Sequence, residues 1–265
     1  MVRGDLEQRA LVAEKVVREA GRLARKYYFA RGGLEVEKKG LQDLVSNADR
    51  ECEELVVTSL ISEFPSDAFV GEEGGRRGDG AALWVIDPID GTSNFLVGIA
   101  HWCVSLGLVL ENRAALGFIY DPLADEMFSA IEGGGARLNG APISVSGQRD
   151  LSRARMGLGF SYRRPAALHA ADVQKLLDAG CEYLRMGSGA LGMAFTAAGR
   201  LDGYWERHIN LWDVAAGLAI VAEAGGTLSP FLNAQSMVEG NEILATSPAL
   251  FEPLRALLDW PAANS

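Results

Sequence analysis

Segments with helical and with strand-like hydrophobic spacing alternate along the chain, and this alternation restricts the fold more than any other feature. Residues 5–29 repeat apolar side chains every three or four positions, which predicts a helix that ends at Gly32–Gly33. Apolar runs at residues 83–86, 102–110 and 114–120 predict buried strands, the last two as a hairpin. Helices and sheets that are apolar on one face stack in layers. We therefore expect a layered α+β sandwich.

Further elements follow from the same patterns. A capping-box pattern at Ser46–Asp49 predicts a second helix that stops at Pro65, and residues 126–131 are predicted to follow the hairpin as a further strand. Strand-like runs in the second half are residues 154–160, 183–186 and 203–205, and helical runs are residues 165–178, 190–198, 213–224 and 248–258. We predict a single domain, residues 1–265, with two halves of roughly residues 1–140 and 141–265. Clefts between such halves are common binding sites.

Composition excludes several classes of protein. Hydrophobic residues make up 48% of the 265 residues and charged residues 23%, as in globular proteins and unlike disordered chains. With 25 basic and 35 acidic residues the net charge is −10, which argues against a clamp that binds nucleic acid by neutralising phosphates. Three cysteines without a CxxC pair cannot form a complete disulfide framework, so a reducing cytoplasm is expected.

Neither a signal peptide nor a membrane span is expected. Charged residues occur throughout the first ten positions, where a signal peptide would need an apolar stretch. The uncharged segment at residues 91–110 is long enough to cross a bilayer, but it contains polar side chains and glycines. A membrane is therefore not an expected partner.

The most informative stretch is residues 84–95, Trp-Val-Ile-Asp-Pro-Ile-Asp-Gly-Thr-Ser-Asn-Phe. An apolar strand delivers Asp87 at its carboxyl end, and Asp90 follows after a proline turn. Two carboxylates on one side of a rigid turn can bridge hard divalent cations. Gly91 permits close backbone approach to a ligand, and a helix starting at Thr92 would offer free N–H groups to a phosphate. Metals beside a phosphate site are what metal-assisted phosphoryl hydrolysis requires.

Two other segments supply candidate carboxylates. Glu72 lies in a Gly-Glu-Glu-Gly loop after an apolar run, and Asp213 follows Trp212 at the start of an almost wholly apolar helix. A carboxylate buried there needs a partner such as a cation.

Each of these patterns also has a purely structural interpretation. About one Asp-x-x-Asp pair is expected by chance among fifteen aspartates, so the bare pair is weak support for a site. The Asp87–Gly91 segment could be a polar turn, Glu72 could lie on a solvated loop, and Asp213 could be a helix-capping acid. The ordered string of strand, acids, glycine and hydroxyl residues is what favours a functional site.

Four segments together resemble the motifs of the inositol monophosphatase family. They are residues 71–73, 84–95, 212–216 and 223–226, in the family's order and spacing. The family consists of Mg²⁺-dependent, lithium-sensitive phosphomonoesterases with a layered αβαβα architecture, which are usually homodimers. The resemblance covers nearly the whole chain and implies the same fold and chemistry here.

The resemblance also implies roles for individual residues. The implied ligands of two or three Mg²⁺ ions are Glu72, Asp87, the carbonyl of Ile89, Asp90 and Asp213. The attacking water would be activated by Asp49, Glu72 and Thr92, and the phosphate would be bound by the amides of Gly91 and Thr92. The implied substrate contacts are Asp90, Gly187, Ser188, Gly189 and Glu206. Either Lys38 or Lys39 would lie near the metals.

Three functions are compatible with the sequence. The first is hydrolysis of myo-inositol monophosphate by a metal-activated water that attacks in line. The second uses the same scaffold on histidinol phosphate or fructose 1,6-bisphosphate, and residues 160–185 would decide between these substrates. The third, from a different class, is a regulatory protein that binds the transcription machinery.

Overall fold

Two β-sheets lie between three layers of helices in the computed structural model, which describes residues 3–40 and 43–260. The helices of this part of the chain are α1 (Arg3–Phe29), α2 (Asn47–Glu63), α3 (Thr92–Val97), α4 (Ala166–Asp178), α5 (Gly189–Ala197), α6 (Leu211–Glu223), α7 (Ser236–Glu239) and α8 (Pro248–Leu257). The predicted layered α+β sandwich is confirmed.

The strands divide between the two halves of the chain. The first half contains β1 (Val36–Gly40), β2 (Asp43–Ser46), β3 (Ala68–Gly71), β4 (Gly75–Arg77), β5 (Ala82–Asp90), β6 (Cys103–Leu110), β7 (Arg113–Asp121), β8 (Glu126–Ile131) and β9 (Gly135–Leu138). The remaining described strands are β10 (Ala141–Pro142), β11 (Arg155–Leu158), β12 (Glu182–Leu184), β13 (Gly203–Ile209), β14 (Thr227–Leu228) and β15 (Asn241–Thr246).

The larger sheet has eight strands in the order β10-β9-β8-β7-β6-β5-β3-β4. Its pairs are antiparallel except for β3 and β5, so the carboxyl ends of these two strands lie side by side. One face packs against α1 and α2, and the opposite face packs against α5 and α6. Burial on both faces explains why β5 and β6 are buried along their whole length.

The smaller sheet has five strands in the order β12-β11-β13-β15-β14. Its inner face shares the α5 and α6 layer with the larger sheet, and its outer face packs against α4 and α8. Strand β13 lies at its centre and leads through Asn210 into α6. The fold therefore brings the start of α6 towards the end of β5, although the two are far apart in sequence.

Close packing sets the distance between α6 and the larger sheet. A Cβ atom at Gly117 of β7 would collide with the main chain of Ala216, and one at Gly107 of β6 would lie 2.9 Å from Ala215. Glycine at both positions allows the helix backbone to approach the strands directly. This approach sets the position of Asp213 in the first turn of α6.

Each sheet is tied to other elements by a buried aspartate. Asp67 accepts a hydrogen bond from Trp84 Nε1 at 2.9 Å and pairs with Arg9 of α1. In the second half, Asp172 of α4 accepts from Trp205 Nε1 at 2.9 Å and pairs with a β13 arginine, Arg207. Breaking a buried pair by removing one partner typically costs about 3–5 kcal/mol.

The structure differs from the predicted elements in several places. Strand β5 does not stop before Asp87 but continues to Asp90, with a register shift against β6 between these residues. Pro88 is tolerated there because a bulge does not need every N–H group. Strand β13 extends to Ile209, and the central strand β15 and the β1–β2 hairpin were not predicted. No helix among the described residues is long and apolar enough to span a membrane.

Candidate active site

Three aspartates from two separated parts of the chain meet at the boundary between the sheets. Asp87 and Asp90 come from the end of β5, and Asp213 comes from the first turn of α6. One carboxylate oxygen of each lies within 4.8 Å of those of the other two. Carboxylate oxygens are the ligands that Mg²⁺ prefers, so this trio has the donor set that such an ion requires.

The electrostatics of the trio also favour a cation. Burial raises the pKa of Asp87 well above its usual range, and the neighbouring charges of Glu72, Asp90 and Asp213 raise it further. Desolvation, followed by the charge of Asp90, raises the pKa of Asp213 to about 7. Three negative charges are therefore costly here unless a positive charge compensates them. The residues present fit Mg²⁺ in chemistry and in charge.

Asp90 is held by the start of α5. The Ser188 hydroxyl and the Ala190 amide, the latter at 2.8 Å, donate to Asp90 Oδ2, and the Gly189 amide donates to Oδ1 at 3.3 Å. Burial raises the pKa of Asp90, whereas these bonds lower it. Ser188 and Gly189, for which the sequence implied substrate contacts, thus orient a candidate metal ligand.

Glu72 lies in the turn that follows β3. Its amide donates to the carbonyl of Ile86 at 3.3 Å, which continues the pairing of β3 with β5. Glu72 is not a member of the 4.8 Å trio, but it lines the same cleft as Asp90 and Asp213. Glu72, Asp90 and Asp213 therefore line one cavity, as the ligands of shared ions would have to do.

The side chains of Asp49 and Thr92 contact each other. Asp49 caps α2: its Oδ2 accepts from the amide of Ser46 at 2.9 Å and from its hydroxyl at 2.6 Å. Asp49 Oδ1 lies 3.4 Å from the Thr92 hydroxyl, which also lies 2.9 Å from the carbonyl oxygen of Ile89. Burial raises the pKa of Asp49. One hydroxyl therefore contacts both a buried acid and a predicted carbonyl ligand.

Gly91 joins the acidic turn to α3 in a conformation that other residues rarely adopt. Its φ is +94°, and a Cβ atom would lie 3.0 Å from the carbonyl oxygen of His101. Asn94 of α3 donates from Nδ2 to the carbonyls of His101 and Met186, both at 2.8 Å. This amide therefore ties α3 to the Gly187–Gly189 segment of the second half.

A cleft of about 920 Å³ opens beside the trio. Gly187, Ser188, Gly189 and Glu206 line it together with Glu72, Asp90 and Asp213. Glu206 Oε2 accepts from the Tyr204 hydroxyl at 2.7 Å, and burial raises the pKa of Glu206 to about 8. The side chains of Lys38 and Lys39 lie outside the part of the structure that is described.

Two residues that support the candidate site were not identified from the sequence. Tyr204 supports Glu206 from two positions earlier on β13, a spacing that places both on one face of a strand. Glu53 of α2 accepts hydrogen bonds from the turn that contains Glu72. Its position four residues after Asp49 was the available signal, because such residues share a helix face.

Comparisons with known proteins agree with the fold. The sequence profile of the inositol monophosphatase family matches residues 5–259. A Pasteurella multocida protein named Nus factor SuhB is 34% identical over 247 residues, which cover 92% of each chain. Extragenic suppressor protein suhB from Bartonella henselae is 31% identical with a TM-score of 0.88, covering 95% of this chain and 98% of its own.

A solved inositol monophosphatase from Anabaena is 32% identical with a TM-score of 0.84, and the match covers 97% of this chain and 98% of the other. These matches confirm the resemblance that the motifs indicated. The chain belongs to the inositol monophosphatase family.

Proposed function

We propose that the protein is a Mg²⁺-dependent phosphatase that hydrolyses a phosphate monoester, with myo-inositol monophosphate as its substrate. The observation that carries this proposal is the convergence of Asp87, Asp90 and Asp213 beside a cleft large enough for a small phosphorylated metabolite. Membership of the inositol monophosphatase family supports the phosphatase activity itself.

The residues that would hold the ions are Glu72, Asp87, the carbonyl of Ile89, Asp90 and Asp213. Bound Mg²⁺ would supply positive charge against the phosphate dianion and lower the pKa of a coordinated water. Asp49, Glu72 and Thr92 would orient that water, and its proton would pass to one of the two carboxylates. The amides of Gly91 and Thr92 would bind the phosphate oxygens. Glycine adopts the positive φ required at position 91 and places no side chain between the backbone and the ligand.

Glu206 supports a polyol leaving group. Its carboxyl group lines the cleft, and only one of its oxygens is engaged by Tyr204. A carboxyl group, protonated or ionised, accepts hydrogen bonds from hydroxyl groups, which a polyol offers in number. Asp90, Gly187, Ser188 and Gly189 would contact the same part of the substrate. Histidinol phosphate and fructose 1,6-bisphosphate are the alternatives on this scaffold.

A phosphate-release panel tests the proposal. The purified protein is assayed with Mg²⁺ on inositol 1-phosphate, histidinol phosphate, fructose 1,6-bisphosphate and 3′-phosphoadenosine 5′-phosphate, with and without lithium. We expect the highest kcat/KM on inositol 1-phosphate and inhibition by lithium. A higher kcat/KM on another compound would identify that compound as the substrate instead of inositol 1-phosphate. No turnover on any of them would refute the enzymatic proposal.

A second candidate function is binding to the transcription machinery. It is favoured by the name Nus factor SuhB that the Pasteurella relative carries. Such a role would use a surface of the protein rather than the metal ligands. If RNA polymerase binding in a pull-down survives Asp87→Asn while phosphatase activity is lost, the two functions are separate.

We also propose that the protein acts in the cytoplasm as a homodimer. The three cysteines are free and buried, which suits a reducing compartment. Sedimentation equilibrium at micromolar concentration tests the dimer, for which a single species of twice the chain mass is expected.

A further inference from the structure

Glu53 is a buried carboxylate for which the proposed mechanism has no use. It belongs to α2, one turn after Asp49, and only 3% of its surface is exposed. Its contacts are with the turn that carries Glu72, a candidate ligand of Mg²⁺. We propose that Glu53 is a positioning residue that holds this turn in the geometry required for Mg²⁺ binding. The inference rests on the proposed function.

Both carboxylate oxygens of Glu53 accept hydrogen bonds from the backbone of the turn. Oε2 accepts from the amide of Glu73 at 2.9 Å, and Oε1 accepts from the amide of Gly74 at 2.7 Å. On the other side, the Glu72 amide is paired with the carbonyl of Ile86 in β5. The backbone is therefore fixed by the sheet at Glu72 and by helix α2 directly after it.

Two glycines make room for this carboxylate. A Cβ atom at Gly71 would collide with the carboxyl group of Glu53, and one at Gly74 would lie 2.5 Å from Oε1. The φ of Gly74 lies outside the left-handed region, so alanine could adopt its conformation. The space occupied by Glu53, with the flexible end of Arg77 beside it, is what requires glycine at this position.

A carboxylate is a costly way to close a turn. Burial raises the pKa of Glu53, and the bonds from the Glu73 and Gly74 amides lower it. Neutral asparagine or serine side chains can close a turn without a buried charge. The carboxylate adds two charge-assisted hydrogen bonds in a fixed fork, which restrict the turn more strongly. Partners that orient a metal ligand in this way commonly change metal affinity when they are removed.

Isothermal titration with Mg²⁺ tests the proposal directly. We expect Glu53→Ala to raise the Kd for Mg²⁺ about tenfold, the lower end of the range for partners of metal ligands. The Mg²⁺ concentration for half-maximal phosphatase activity should rise in parallel, and kcat at saturating Mg²⁺ should change less. Glu63→Ala is the matched control, because Glu63 is an exposed glutamate at the other end of the same helix. Its Kd should equal that of the wild type.

A double-mutant cycle separates positioning from a general loss of stability. Gly74→Ala places a methyl group against Glu53 Oε1 and should weaken Mg²⁺ binding in the wild type. In the Glu53→Ala background the methyl group has room, so the same substitution should have little further effect. Thermal unfolding of all four proteins shows whether each one folds.

An unchanged Kd for Mg²⁺ in Glu53→Ala, or additive effects in the cycle, would overturn the inference. If Glu53→Ala does not fold, Glu53→Gln takes its place, because it keeps the side-chain size and one acceptor. A higher Kd than that of the wild type is then expected, since a charge-assisted bond is lost, and an unchanged Kd overturns the inference. A wild-type protein that binds no Mg²⁺ would instead refute the proposed function.

Discussion

At the residue scale, Asp87 combines burial with the greatest concentration of neighbouring negative charge. It is 1% exposed, and Glu72, Asp90 and Asp213 all raise its pKa. We predict that Asp87→Asn lowers kcat/KM by about 10³-fold or more, since metal assistance contributes several kcal/mol to such reactions. The metal-free variant should unfold at the same or a higher temperature than metal-free wild type, because a buried charge is removed.

Asp79→Asn is the control for this prediction, since Asp79 is exposed and belongs neither to the trio nor to the lining of the cleft. Phosphate release and differential scanning calorimetry in EDTA give the two measurements. A folded Asp87→Asn protein with wild-type turnover would contradict the assignment of Asp87 as a metal ligand.

At the scale of elements, α6 is the link between the two sheets. Its backbone rests on Gly107 and Gly117, and its first turn carries Asp213. We predict that Gly117→Ala forces α6 away from β7 and lowers the free energy of unfolding by about 1–3 kcal/mol, the usual cost of overpacking. Asp213 should move with the helix, so the Kd for Mg²⁺ should rise as well.

Urea unfolding and Mg²⁺ titration measure the two effects. Gly147→Ala serves as the comparison, because a Cβ atom at this exposed glycine meets no neighbour within 4 Å. Equal stability and equal Mg²⁺ affinity in both variants would show that α6 tolerates the added methyl group.

At the scale of the whole molecule, the trio joins the two halves, so metal removal should affect global stability. Burial raises the pKa of Asp213 to about 7 and that of Glu206 to about 8, above the usual carboxyl value of about 4. The folded metal-free protein therefore binds more protons than the unfolded chain between about pH 4 and 8. Its free energy of unfolding should fall as the pH rises through this window.

We predict that the Tm in EDTA falls by about 5 °C or more between pH 5 and pH 7.5, a few kcal/mol for a chain of this size. Saturating Mg²⁺ should raise the Tm at pH 7.5 and flatten the profile, since a ligand that binds only the folded state stabilises it. Asp213→Asn should reduce the pH dependence in EDTA. A Tm in EDTA that rises with pH would contradict the prediction.

Local patterns were sufficient for much of the fold. The long helix α1 follows from its repeating apolar stripe, α2 from its capping box, and the β6–β7 hairpin from two apolar runs. Strand β15 was missed because its pairing with β13 depends on residues far away in sequence. Strand β5 was shortened because Pro88 indicates a break, and the bulge that accommodates it forms only when β5 pairs with β6.

The sequence by itself determined which chemical groups are available: carboxylates after an apolar strand and at a helix start, and a glycine-hydroxyl turn. Its alternation of helical and strand-like segments also determined that the fold is layered. Only the tertiary structure decided that Asp213 reaches Asp87 and Asp90, that Ser188 holds Asp90, and that Glu53 fixes the Glu72 turn. The physical reason is that local propensities act over a few residues, whereas these contacts arise when α2, α5 and α6 are packed against the sheets.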